Sequence, residues 1–217
     1  MDLLGTRSAR DTRIRTSNTE LILDAALEVF SAYGFRGATV DQIAARAGMS
    51  KPNLLYYFRR KQDIYVALLE RTLADWLAPL RRLRADGDPL SEIADYIREK
   101  MRMSRENPQA SRLFANEVLH GAPAISRFLS GPLKELVDEK AEVIRAWVAE
   151  GKIAPIEPYH LIFSLWAMTQ TYADFGVQIR AILGEGDAHF TDAEETILSL
   201  VLNGLKPRAT ELREKSS

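Results

Sequence analysis

The chain of 217 residues has no cysteine and only three histidines. Without a thiol there is no disulfide, no thiolate nucleophile and no thiolate metal ligand, a composition that fits a reducing compartment. His120, His160 and His189 are scattered. Glu117 and His120 do have the Glu-x-x-His spacing with which helical bundles hold di-iron centres, but such a centre needs a second pair and two further glutamates. No metal site and no catalytic residue is therefore expected. Gly184-Glu185-Gly186 has no following lysine and is not a phosphate cradle. An apolar run of signal-peptide type is also lacking after Arg7, Arg10, Arg13 and Arg15, so a cytoplasmic protein is expected. Neither an internal repeat nor a low-complexity tract is present.

Hydrophobic residues make up 46% of the chain, ample for a sizeable core. They recur at helical spacing almost throughout, which predicts an all-α fold of about nine helices. The formal net charge is −1, yet residues 1–61 hold ten Lys or Arg against six Asp or Glu, a net +4 that leaves −5 for the remainder. A basic head on an acidic body is the footprint expected when only one part meets a phosphate backbone.

The most informative stretch is Thr39 to Phe58, which reads as helix, tight turn, helix. Thr39 is a good N-cap, Val40, Ile43, Ala44 and Ala47 share one face, and Gly48 ends the first helix. Ser50 then caps a shorter helix with Pro52 in its first turn and Leu54, Leu55 and Phe58 on its apolar side. Lys51, Asn53, Tyr56 and Tyr57 lie opposite, and hydrogen-bonding side chains there suit base edges and phosphates in a major groove. Lys61 begins the next helix, where phosphate is favoured by the helix dipole. The expected DNA-contact set is Thr39, Ser50, Lys51, Pro52, Asn53, Tyr56, Tyr57 and Lys61. An ordinary helical hairpin is the alternative. The preceding stripe of Leu21, Ile22, Ala25, Ala26, Val29 and Phe30, stopped at Tyr33-Gly34-Phe35, argues instead for a three-helix DNA-binding head.

These residues carry a resemblance to the TetR family of transcriptional regulators, on Ala26-Leu27-x-x-Phe30, Gly34-Phe35-x-Gly37-x-Thr39, Ile43-Ala44-x-x-Ala47-Gly48, Ser50 and Leu55-Tyr56-Tyr57-Phe58-x-x-Lys61. The resemblance implies a ligand-responsive repressor that binds a palindromic operator in double-stranded DNA as a homodimer and is not an enzyme. The expected organisation is a flexible basic arm over 1–16, a helix-turn-helix domain over 17–60, a ligand-binding and dimerisation body over 61–207, and a frayed tail over 208–217.

Within the body, helices are expected over Arg60–Arg84, Leu90–Glu106, Gln109–Leu119, Pro132–Glu150, Tyr159–Leu183 and Asp192–Leu205. Pro79 is expected to kink the first of these. Tyr159–Leu183 is apolar on nearly all sides, but Ser164, Thr169, Gln170, Thr171 and Asp174 argue against lipid. In the family the last two helices pair across a two-fold axis, which accounts for that apolar breadth. Trp166 and Gln170 share a face at i and i+4, and the amide among apolar neighbours either bonds another helix or serves an effector. Trp76-Leu77-Ala78-Pro79-Leu80, Pro108 to Phe114 and His160 to Phe175 are similar to the family's pyrimidine-utilisation regulators. That similarity implies Trp76, Trp166 and Gln170 as the effector-binding residues, uracil or thymine as the small-molecule effector, and no cofactor.

Overall fold

The computed structural model describes residues 3–207, with side chains from Arg15 onward. Among the described residues the regular structure is helical and no strand occurs. The first helix, α1 (Leu3–Gly37), begins inside the segment expected as a flexible arm. That segment holds one glycine, Gly5, and no proline, so nothing local prevents a helix there. The helix is interrupted at Gly34, whose φ of 65° only glycine adopts readily, and this is the stop read from the sequence. The tail expected to fray, 208–217, lies outside the described residues.

Helix α2 (Val40–Arg46) opens with a capping box: Gln42 N–H donates to Thr39 Oγ1 at 3.2 Å and Thr39 N–H to Gln42 Oε1 at 2.8 Å. Gly48, at φ 68°, makes the turn into α3 (Lys51–Tyr57), whose cap Ser50 accepts from Asn53 N–H at 3.4 Å. Helix α4 (Lys61–Arg81) ends three residues before its expected limit. Pro79 lies inside it and lacks the N–H that would bond one turn back, and past Arg81 the chain tightens into Arg82 to Pro79 and Leu83 to Leu80 bonds.

The first compact unit comprises the chain up to Thr72 together with Leu113–Ile125. Its boundary lies beyond residue 60 because Ile64, Tyr65, Leu68 and Leu69 of α4 are buried along with Phe30, Ile43 and Leu54. Tyr65 packs edge-on against Phe30 at 5.1 Å and tilted against Phe35 at 4.8 Å. Its hydroxyl donates to Glu117 Oε2 at 3.1 Å, while Ala124 N–H donates to Oε1 at 2.6 Å. Glu117 is thus a buried clamp. His120 turns instead to the Asn116 carbonyl, 2.7 Å away, so the Glu-x-x-His pair does not converge.

The second unit holds Leu73–Arg112 and the chain from Ser126 onward. Asp88 caps α5 (Pro89–Glu106), accepting from Ser91 N–H at 2.9 Å, and α6 (Pro108–Leu119) follows after Asn107. A short α7 (Ser126–Phe128) runs through a π turn over Leu129–Leu133 into α8 (Lys134–Ala149). That turn contains Pro132, the expected helix start, whose missing N–H displaces the regular ladder. Glu157 caps α9 (Pro158–Asp174), and α10 (Gly176–Leu183) and α11 (Ala188–Leu205) are the last helices among the described residues. The core gathers Leu80, Ile97, Met101, Ile144, Trp147 and Leu161. Trp147 Nε1 donates to the Ala85 carbonyl at 3.1 Å, and Ala154 N–H to that of Leu205 at 2.8 Å.

The single helix expected over Tyr159–Leu183 is two, because Phe175 leaves helical geometry at φ −107°, ψ 27° and Gly176 resumes it. Glycine is a poor residue with which to bridge such a break. The break leaves Phe175, Val177, Ile182 and Leu183 exposed, with Leu200 on α11, and Val177 keeps 75% of its surface. So much apolar surface on two helices is what a two-fold partner covers. Among the described residues no helix is long and apolar enough to cross a membrane.

Candidate DNA-binding face and effector site

Local capping sets the geometry of the head. Thr39 and Ser50 fix the starts of α2 and α3, and Pro52 supplies the first-turn φ of α3 without needing an N–H partner. Lys51, Pro52, Asn53 and Tyr56 are all exposed, Tyr56 to 73%. Leu54 on the opposite side is fully buried. Lys51 Nζ lies 2.8 Å from Asp41 Oδ2 of α2, an exposed pair worth little to stability. Tyr57 is half-buried and packs edge-on against Tyr56 at 5.3 Å. Its hydroxyl accepts from Asn18 Nδ2 at 2.7 Å, which ties α3 to α1.

Lys61 has a different task from the one its position suggests. Its ammonium donates to the carbonyls of Phe35 at 2.6 Å and Ala38 at 2.7 Å, and lies 4.7 Å from the Phe35 ring centroid. It therefore caps the chain where α1 turns into α2. The phosphate contact expected of Lys61 does not fit this arrangement, since acceptors at the end of α1 already hold its donors.

In the second unit, Trp76 and Trp166 arrive on one stripe of α5 from opposite partners. Trp76 of α4 is buried, with Lys100 Nζ 3.6 Å from its ring centroid. Trp166 of α9 donates through Nε1 to Tyr96 Oη at 2.8 Å. Tyr96 and Lys100 stand one turn apart, and one turn further Ser104 donates to the Thr169 carbonyl at 2.9 Å. Gln170 lies one turn beyond Trp166, half-buried, and its amide forms no hydrogen bond to another described residue. Asp174, the next residue of that stripe, accepts from Ser111 Oγ, while Arg112 donates to the Ala173 carbonyl at 3.1 Å.

The electrostatics follow from burial. Lys100 keeps only 2% of its surface, and desolvation pulls its ammonium from 10.5 down to about 7 although Asp174 opposes the shift. Burial raises the Asp174 carboxyl, against Ser111, Lys100 and Arg112, and it raises the Tyr96 phenol so that this group stays neutral. Lys100 and Tyr96 were not singled out from sequence. The available signal was a lysine four residues after Tyr96 and four before Ser104, on the stripe that also carries Ile93, Ile97 and Met101.

A groove of about 840 Å³ beside this stripe, lined by Arg82, Arg98, Arg102, Asp95 and Glu99 among others, reaches Tyr96. Four of its charges are mutually paired, Arg102 with Glu99 and Arg98 with Asp95. No group of three or more His, Asp or Glu able to hold a metal occurs among the described residues.

Residues 22–68 match the family described as bacterial regulatory proteins, tetR family, and residues 69–208 match the C-terminal region of YcdC-like proteins. Over 204 residues the chain is 46% identical to the HTH-type transcriptional regulator RutR of Escherichia coli O157:H7, covering 93% of this chain and 96% of that protein. Among solved structures, the ketosteroid transcriptional regulator KstR2 of Mycobacterium tuberculosis aligns with a TM-score of 0.67 at 19% identity, over 88% of this chain and 95% of that one. AibR in complex with isovaleryl coenzyme A and operator DNA aligns with a TM-score of 0.66 at 17% identity, over 84% and 97% of the two chains. At such identities the structural likenesses concern the fold alone.

Proposed function

Because this chain belongs to the TetR family of bacterial regulatory proteins, we propose that it is a repressor released from its operator by a pyrimidine base, uracil or thymine. Family membership makes it a DNA-binding transcriptional regulator rather than an enzyme, acting as a dimer on operator DNA and answering to a small molecule. DNA and free pyrimidines meet in the cytoplasm, where we place its action. The proposed reading surface is Lys51, Asn53 and Tyr56 with Tyr57 behind them, on a short helix held by Thr39, Ser50 and Pro52. Lys61 supports that surface from within the head.

The observation that carries the pyrimidine reading is the packing of Trp76 and Trp166 against α5, with the unbonded amide of Gln170 one turn beyond Trp166. A flat ring stacks on indole, and a glutamine amide matches an N–H beside a carbonyl. Similarity to RutR over nearly the whole chain supports it independently. Release requires the ligand to favour one conformation, and couplings of this kind are typically about 1–3 kcal/mol.

The test uses the full-length protein and the operator recovered by sequencing genomic DNA bound to it. Uracil or thymine is expected to lower operator affinity roughly 5- to 150-fold in wild type and much less in Gln170→Ala. If calorimetry shows no pyrimidine binding while another compound releases both proteins from DNA equally, the effector is of another class and the pyrimidine reading fails.

A further inference from the structure

Lys100 is the buried polar group that the fold itself does not use. Its ammonium has three donors, yet its one close partner is the face of Trp76, and no acceptor among the described residues takes a hydrogen bond from it. Every fully enclosed side-chain nitrogen or oxygen among the described residues does have a hydrogen-bond partner. Lys100 Nζ, having none, must therefore border space that a polar atom can enter. Burying an amine without an acceptor is costly, and a purely structural position would be better served by methionine or leucine.

Its neighbours define what enters that space. The Tyr96–Trp166 bond closes one side and the Ser104–Thr169 bond the other, one turn away along α5 in each direction. Gln170, whose amide also forms no hydrogen bond to another described residue, lies on the facing helix in the same interval between Trp166 and Asp174. The ammonium and the amide are thus two polar groups without a hydrogen bond on the facing helices α5 and α9.

We infer that Lys100 is an effector-binding residue whose ammonium donates to an oxygen of the ligand, so that the site selects planar rings bearing an anionic or strongly accepting oxygen. This inference rests on the effector site proposed above and names the group that reads the ligand's charge. Gln170 recognises the ring edge and Lys100 the oxygen that carries most negative charge, with Trp76 holding the ammonium from behind. A ligand oxygen there favours the ammonium over the amine, so binding takes up a proton when Lys100 is partly neutral beforehand. Of the groups around it, Asp174 of α9 favours its charge, Tyr96 of its own helix stays neutral, Arg112 of α6 is engaged with the Ala173 carbonyl and Asp174, Trp76 of α4 lies against it, and α11, which also packs on α5, supplies no charge that shifts it.

The experiment is titration calorimetry on the full-length protein and on Lys100→Met, with uracil and with barbiturate, a planar anion of the same ring size. Each titration is run at pH 7.5 in two buffers of different ionisation heat, and a melting curve confirms that the variant is folded. Wild type is expected to bind with proton uptake, to weaken by up to about tenfold per pH unit above 7, and to prefer barbiturate. Lys100→Met is expected to bind about tenfold or more weakly, with no uptake and no preference for the anion. Equal affinity and equal proton uptake in the two proteins would overturn the role of Lys100 and leave the pyrimidine reading intact. Lys100-dependent binding of barbiturate without any binding of uracil would uphold the role and overturn uracil. If neither compound binds wild type, both readings fall.

Discussion

Replacing Lys100 with methionine should make the protein more stable at neutral pH, an unusual expectation for a core position. Methionine has nearly the same length and no charge to desolvate. In the folded chain burial draws the ammonium from 10.5 down to about 7, and at about 1.36 kcal/mol for each tenfold in acidity this disfavours folding by roughly 4–5 kcal/mol at or below pH 7. Against this stands the loss of the contact with the Trp76 ring, about 2 kcal/mol when desolvated. The net gain is about 2 kcal/mol, or roughly 4–8 °C in Tm for a chain of this size. The sign of the pH dependence is fixed by which state holds the proton. Between pH 7 and 10.5 the unfolded chain keeps a proton that folded Lys100 has released, so wild type gains stability as pH rises through that window. At pH 9 the folded amine is neutral, so the penalty has shrunk to about 2 kcal/mol and no ammonium remains against the Trp76 ring to offset it. Scanning calorimetry at one fixed protomer concentration, which holds dimerisation constant, reads both numbers. A variant that melts below wild type at pH 7 or at pH 9 would refute the reasoning.

Two further changes separate scaffold from reading surface in the head. Thr39→Ala removes the hydroxyl that accepts from Gln42 N–H, while the backbone N–H of residue 39 can still donate to Gln42, and should destabilise the protein by about 1 kcal/mol, seen as a lower denaturation midpoint; an unchanged midpoint would mean that the hydroxyl cap adds nothing. Lys51→Ala breaks only an exposed pair with Asp41, so its midpoint should move by less than about 0.5 kcal/mol while operator affinity falls roughly tenfold in a mobility-shift assay. Full affinity in that variant would remove Lys51 from the proposed DNA surface.

The head was legible in the sequence because its signals are local. Thr39, Ser50, Pro52 and the glycines at 34 and 48 act within a few residues of themselves, and each stands where the chain needs a cap or a positive φ. The body was legible only as helices. Its break at Phe175 has weak local marking, since Asp174-Phe175-Gly176 sits inside an otherwise unbroken apolar run, and the π turn at Pro132 is likewise a matter of how the chain meets α8. Lys61 and Lys100 illustrate the remaining limit. Their charge suggests solvent or phosphate, and what they do instead is decided by groups 23 to 26 residues away for Lys61 and by a tryptophan on another helix for Lys100.

The clasp of Lys61 also bears on how this head answers to ions. A cation that displaces counterions from DNA adds about 0.9 to the steepness with which binding weakens on a logarithmic salt scale. Lys61, held by the carbonyls of Phe35 and Ala38, keeps its charge inside the head and releases no counterion. For two heads on one operator, the exponent is therefore lower by about 1.8 than a tally of basic residues near α3 would suggest. If Asn53 and Tyr56 form the proposed reading surface, that surface leans to the same extent on neutral hydrogen-bonding groups, which salt does not screen, and affinity is buffered against changes in cellular potassium.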